Sequence, residues 1–205
     1  EAHPECTLCI HSARIELVGK ALADMQMRPY HGNRLLSPEE IVDKPSGYAM
    51  SSMAFPACLV KNLPEYYVDC PVGDTPIQLM AAAEGWGYYM DEPMSVYRVG
   101  VRGSWTSEGK AGDYKAKQRA YYDRMKRTYD QFNQATEGRL KEAAESACLR
   151  TYYLTMVNTK VFKEIFARRY RRYFRELTPR TRFLLWFEYR MPWLYHKVRN
   201  GFMGA

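Results

Sequence analysis

The carboxylate best placed for chemistry is Asp74, in the segment VGDTPIQLM. It stands where a helix begins, near Pro76, so backbone N–H groups and the positive end of the helix dipole favour its ionised form. Such an Asp reads first as a helix cap. The same geometry also holds an ionised carboxylate at a cleft edge, where it can take a proton from a hydroxyl nucleophile. Gly73 before it leaves room for a substrate to approach the backbone. Cap and base are compatible only if one carboxylate oxygen stays free.

A second constellation is YRVGVRGSWT, residues 97–106. A strand end carrying Arg98 runs into a glycine-punctuated loop with Arg102, Ser104 and Trp105. Two guanidinium groups suit a diphosphate through charge-assisted hydrogen bonds, and Gly100 and Gly103 let the loop move over it. The plain alternative is a surface arginine pair beside a buried Trp. Asp91 and Glu92 offer an acidic pair to a metal ion, but with Pro93 behind them they read better as a turn between two strands. His3, Cys6, Cys9 and His11 superficially supply four zinc ligands. In a strand, however, Cys6 and Cys9 point to opposite faces and do not share one tetrahedral ion.

The elements that must position these groups are legible from periodicity and punctuation. Residues 5–17 read as a strand, and 19–36, with Pro29, Gly32 and Asn33, as a loop with an exposed Arg34. Ser37-Pro38-Glu39-Glu40 is a compact helix start, stopped soon after by Pro45, Ser46 and Gly47. Residues 47–60 are small and apolar and predict a buried strand or strand–turn, while 63–72 predict a loop with one helical turn. An amphipathic helix is expected from about Thr75 to Glu84, ended by Gly85. Two short strands follow, Gly87–Met90 and Met94–Val99.

Near Gly109–Gly112 the composition changes. From Tyr114 to Asn200 the pattern is almost wholly helical, with breaks at Thr136–Gly138, Asn158, Thr178-Pro179 and Pro192. The expected organisation is a mixed α/β unit over 1–108 and a basic, amphipathic helical extension over 109–205.

Hydrophobic residues make up 46% of the 205 residues, enough for a packed core and against disorder. Aromatics reach 14%, which favours clefts for flat or polyhydroxyl ligands, although most of the 17 tyrosines read as packing at half-buried surfaces. The net charge of +7 is concentrated: 160–182 hold Lys160, Lys163, Arg168, Arg169, Arg171, Arg172, Arg175, Arg180 and Arg182 against only Glu164 and Glu176. Such a block points to an anionic surface, or to a solvated helix face. Basic residues beside Trp186, Phe187, Trp193 and Leu194 suit a helix lying in a membrane interface, and equally a helix packing its apolar stripe on the domain. Five irregularly spaced cysteines make a poor disulfide framework and fit a reducing cytoplasm. No run of about 18 apolar residues exists to span a bilayer. The chain opens on Glu1 and enters a strand almost at once, so further upstream sequence is expected.

Taken in order, AHPECTLCIH, RPYHGNRLLSPEEIV, SSMAFPACLV and LPEYYVDCPVGDTPIQLMAAAEGWGYYMDEPMSVYRVGVRGSWT resemble the acceptor-side, C-terminal half of bacterial family 2 glycosyltransferases of the GT-A type, which act in surface polysaccharide assembly. The likeness covers about 1–108, is most specific in 63–106, and is weak over the helical tail. It implies a partial GT-A fold: α/β with a short mixed sheet, then a mainly helical extension. It also implies an inverting transfer from a nucleotide-diphosphate sugar to a saccharide or lipid-linked acceptor, with Asp74 as general base.

By the same likeness Arg98, Arg102, Ser104 and Trp105 form the wall near the diphosphate. A divalent cation, Mg or Mn, is implied too, but its D-x-D ligands do not occur in this chain. In many relatives a His follows the YR strand; Gly100 holds that place here, so no metal ligand carries over. The nucleotide-binding half that precedes this region in relatives, roughly 100 residues, would have to be supplied for activity. The expected setting is cytoplasmic, at the inner face of the plasma membrane, with residues 160–200 against anionic lipid. Rival readings are a non-catalytic assembly partner of a complete transferase and a nucleic-acid-binding module. The second is disfavoured because no recognisable nucleic-acid motif accompanies the charge.

Overall fold

Polar and apolar residues alternate along CTLCIHSARIEL, and the segment forms β1 (Cys6–Leu17), with Leu8, Ile10 and Ser12 buried and Cys9 and His11 half-exposed between them. The computed structural model describes residues 3–18, 25–44, 47–104 and 112–203. β1 lies parallel to β5 (Trp86–Val99) and antiparallel to two short strands, β2 (Gln26–Met27) and β4 (Met53–Ala54). β3 (Arg34–Leu36) pairs antiparallel with the other side of β5. The result is a mixed five-stranded sheet of order β2-β1-β5-β3, with β4 also on β1.

β5 corrects one expectation. Asp91, Glu92 and Pro93 do not make a turn; the strand runs through them unbroken. Pro93 has no N–H to give a ladder, and the pairing with β1 shifts register there, between His11 and Ser12 and between Ser12 and Ala13. The segment 47–60 departs as well. It is largely 3₁₀ turn, over Met50–Ser52 and Ala57–Val60, and only Met53–Ala54 joins the sheet. Residues 19–36, read as loop, contribute β2 and β3.

The helices of this region follow their local signals. Helix α1 (Pro38–Asp43) begins with a complete capping box, in which Ser37 Oγ accepts from Glu40 N–H at 3.3 Å and Glu40 Oε2 accepts from Ser37 N–H at 3.1 Å. A single-turn helix, α2 (Glu65–Asp69), precedes α3 (Asp74–Glu84), whose residues Thr75 to Ala82 are all buried. Thr7 Oγ1 of β1 donates to Ala81 O of α3 at 2.7 Å. At the end of α3 the backbone passes so close to β1 that a Cβ on Gly85 would meet Glu5 O at 2.5 Å, so only glycine fits.

Helix α4 (Tyr114–Ala135) is capped by Asp113, whose side chain accepts from Ala116 N–H at 3.0 Å. It packs on α2, with Phe132 edge-on to Tyr66 at 5.7 Å between ring centroids. Met125, Tyr129 and Phe132, with Ala143, Ala144 and Ala147 of α5 (Lys141–Thr159), bury into the same core as Leu8, Ile10 and Leu79. Two compact units therefore divide between Leu149 and Arg150, inside α5, and the change of composition near 109 is not that boundary. A helix that looks like an extension by composition supplies core side chains to the α/β unit.

The second unit, Arg150–Ala205, has its own core of Tyr153, Ile165, Tyr170, Tyr173 and Leu185. Its helices are short: α6 (Phe162–Ile165), α7 (Arg171–Glu176), α8 (Pro179–Arg190) and α9 (Pro192–Met203). Thr178 caps α8 and Pro179 and Pro192 open the last two, where the sequence places breaks. Lys160, at φ 60°, donates from Nζ to Glu188 Oε2 at 2.6 Å and neutralises that buried carboxylate. No helix among the described residues is long and apolar enough to cross a membrane.

One buried side chain is out of keeping with its surroundings. Gln78 of α3 is 0% exposed, and neither amide atom has a hydrogen-bond partner among the described residues. An unsatisfied amide costs roughly 1–3 kcal/mol, and Met matches its length without the polar atoms. Gln78→Met is expected to raise the unfolding free energy by about 1–2 kcal/mol in a urea titration with unchanged slope. A loss of stability would mean that the amide has a partner worth keeping.

Candidate functional site

Helix α3 starts at Asp74 itself, one residue before the expected Thr75, and Gly73 takes the capping position without a side-chain cap. Asp74 is therefore the first helical residue, at the positive end of the dipole. Its Oδ1 accepts the N–H of Thr75 at 2.8 Å. Its Oδ2 has no hydrogen bond to a described residue, and the side chain is half-exposed. A Cβ built on Gly73 meets nothing within 4 Å, so the backbone just before Asp74 faces open space.

Two residues near Asp74 escaped the sequence reading because they come from α4. Tyr121 lies close enough that Cys70 and Asp74 both act on its phenol. Burial is the larger cause, and together they push it up to about 12, so it stays neutral and able to donate. Arg124 donates from Nε to Asp69 O at 3.0 Å and from Nη2 to Cys70 O at 3.3 Å. The guanidinium thus satisfies carbonyls at the end of α2 and holds the short link that leads to Asp74. Gln131 adds a bond from Nε2 to Asp69 Oδ2 at 3.0 Å. Chemically, this is a half-engaged carboxylate near a neutral phenol, at the head of a helix whose preceding link is braced by α4.

The other named residues are placed elsewhere. Arg98 is exposed near the end of β5, beside Glu16 of β1 at 3.4 Å. Arg102 is exposed and Ser104 half-buried in the loop beyond, where Gly100 and Gly103 have φ of 85° and 76°. Trp105 lies outside the described residues. The neighbours that define Asp74, namely Thr75, Cys70 and Tyr121, are not those of Arg98. Cavities of about 370, 430 and 470 Å³ occur in this unit, and Asp74 lines none of the three. Two flank the far end of α3 at Glu84, and the third lies on β1.

That third cavity is lined by His3, Cys6 and Cys9, beside a register shift of β1 between Cys6 and Leu8. His3 stacks on Tyr88 at 4.6 Å, and His11 Nδ1 is bonded to Ser12 O at 2.8 Å. Burial pushes both thiols up, away from the thiolate a zinc ion needs. Among the described residues no three His, Cys, Asp or Glu side chains converge on a possible metal ion.

Asp91 has a structural task. Arg28 engages both carboxylate oxygens in a fork, Nε to Oδ1 at 2.5 Å and Nη2 to Oδ2, and Gly32 N–H adds a bond to Oδ2 at 2.6 Å. Asp91 N–H in turn donates to Asn33 Oδ1 at 2.8 Å. Residues 28–33 are pinned to the middle of β5 by one side chain that is 7% exposed. No sequence pattern joins Arg28 to Asp91, 63 residues apart.

Searches of family models, curated proteins and solved structures return no match to this chain.

The Arg28 fork, then the Gly32 amide, hold the Asp91 carboxyl well below the ordinary carboxylate value of 3.8. A depressed folded-state value means stability that is present above 3.8 and lost only as pH falls through the lower one. Asp91→Asn is therefore expected to lower Tm by a constant amount from neutral pH down to about 4. The gap to the unsubstituted protein should close only in stronger acid, as followed by thermal melts across that range. A gap that closes above pH 4 would remove the fork from the account.

Proposed function

We propose that this chain is the acceptor-side part of an inverting glycosyltransferase of family 2, GT-A type, with Asp74 as general base. What carries the reading is the half-engaged carboxylate: Oδ1 tied to the first turn of α3, Oδ2 without a bond to a described residue, and open space at Gly73. An acceptor hydroxyl, on a saccharide or lipid-linked saccharide, gives its proton to Oδ2. Its oxygen then attacks the anomeric carbon of the donor. The bond from that carbon to the diphosphate oxygen breaks, and the nucleoside diphosphate leaves with the electron pair. One displacement inverts the centre.

Tyr121, held neutral by burial, lies within electrostatic reach of Asp74. The glycine-flanked loop of Arg102, Ser104 and Trp105, with Arg98, is assigned to the diphosphate. The Mg or Mn of such enzymes is assigned to a nucleotide-binding half, and the reaction needs that half present. We place the protein in the cytoplasm, peripheral to the inner face of the plasma membrane, in cell-envelope polysaccharide synthesis. A non-catalytic assembly role is the second reading, favoured by the three cavities of this unit, none of which Asp74 lines.

The test joins this chain to a donor-binding half and measures nucleoside diphosphate release with a saccharide acceptor. Removing a positioned general base costs ~10²–10⁴-fold in rate. Asp74→Asn is expected to show that loss in kcat with donor affinity unchanged. Turnover like that of the unsubstituted protein in this variant defeats the assignment, and co-purification with a complete transferase that it activates without Asp74 establishes the second reading.

A further inference from the structure

We propose that the exposed aromatic and basic face of α8 and α9 is a docking surface for a bilayer rich in anionic phospholipid. The inference deepens the membrane placement above and rests on it, but does not depend on Asp74. It starts from the outside of the second unit, where large apolar side chains face solvent. Phe183 is 59% exposed, Trp186 45% and Trp193 73%, with Leu184 and Met191 exposed between them. Patches of this kind on a folded surface mark an interaction site.

Charge identifies the occupant. Residues 179–199 contain Arg180, Arg182, Arg190, Lys197 and Arg199, and their one acidic residue is Glu188. Glu188 is buried and already neutralised by Lys160. The face therefore presents positive charge with no exposed carboxylate to offset it. Lys197 Nζ sits 5.2 Å above the Trp193 ring, an ammonium group beside the most exposed indole. Arg168, Arg171 and Arg175 follow one another at spacings of three and four residues, exposed and with no acidic partner among the described residues. Indoles, phenyl rings and leucine seek the acyl boundary while lysine and arginine stay at phosphate level.

The same observations argue against other occupants. A second copy of this chain would bring like charge to the contact. Duplex nucleic acid satisfies the cations but leaves Leu184, Met191 and the rings in water. Each of the two helices is 12 residues long, about 18 Å, against a hydrocarbon core of about 30 Å. They lie in the interface plane and do not cross it.

Flotation of the full chain on vesicles tests this, with phosphatidylcholine alone compared with an equimolar mixture of phosphatidylcholine and phosphatidylglycerol. Binding is expected on the mixed vesicles at low salt, weakened by high salt and near zero on phosphatidylcholine alone. Trp186→Glu with Trp193→Glu should reduce partitioning by at least about tenfold with an unchanged far-ultraviolet dichroism spectrum. Arg180→Gln, Arg190→Gln and Lys197→Gln together should reduce it on the order of a hundredfold.

Should the double variant lose its fold, Trp193→Glu alone serves, because that side chain is 73% exposed. No flotation at low salt overturns the proposal. So does undiminished flotation of the folded tryptophan variant, a dimer in solution that Trp193→Glu dissolves, or tighter binding to a short DNA duplex than to mixed vesicles. Nucleoside diphosphate release with a soluble acceptor reports on Asp74 separately, so failure of either claim leaves the other standing.

Discussion

The parallel pairing of β1 with β5 is the constraint on which the first unit depends. Neighbouring parallel strands cannot be joined by a hairpin, so the chain from Leu17 to Trp86 must cross over the sheet and return. Helix α3 closes that crossover, entering β5 directly through Gly85. A helix that feeds a strand this tightly has its C-terminus at the strand's start, and its N-terminus is carried to the other end of the layer. Asp74 owes its position to that reversal. Gly85 makes the reversal possible, since any side chain there would strike the carbonyl of Glu5.

Two aspartates of the same unit differ in how fully their surroundings engage the carboxylate. Asp91 has both oxygens engaged by a guanidinium fork and a backbone amide, and its charge is used up in holding residues 28–33 on β5. Asp74 has one oxygen engaged locally and one without a hydrogen bond to a described residue, on a half-exposed side chain. A group with no acceptor capacity left cannot take a proton in a reaction, whereas a half-engaged one can. That distinction, more than the residue type or its place beside a glycine, supports the assignment of chemistry to Asp74. The phenol of Tyr121 adds to it, since burial keeps it a donor at any ordinary pH.

The second unit reverses the usual relation between composition and burial. Its aromatic core is made of Tyr153, Tyr170 and Tyr173 with Ile165 and Leu185, while Phe183, Trp186 and Trp193 stay outside. The one carboxylate of the last two helices is drawn inward by Lys160 across 28 residues of chain. Burying Glu188 in this way removes the counter-charge from the surface and leaves the arginines of α8 and α9 to face solution. Packing choices inside the unit thus set the electrostatic character of its exterior.

Local signals were sufficient for the elements whose causes are local. The Ser37 capping box, the Thr178-Pro179 and Pro192 starts, the alternation along 6–17 and the helix ended by Gly85 all act within a few residues, and each appears where its residues put it. Tertiary contacts decided the rest. Asp91 and Pro93 have every local reason to turn, yet they stay in strand because β1 runs alongside and Arg28 claims the carboxylate. α4 has the composition of a surface helix, yet its Met125, Tyr129 and Phe132 complete the α/β core, set Tyr121 near Asp74 and hold Arg124 on the carbonyls of Asp69 and Cys70. By itself the sequence determined which residues could begin a helix, alternate in a strand or carry a charge. Only the folded chain decided which of those charges are consumed by partners far away in sequence, because a side chain's chemistry depends on what is left unbonded once packing is complete.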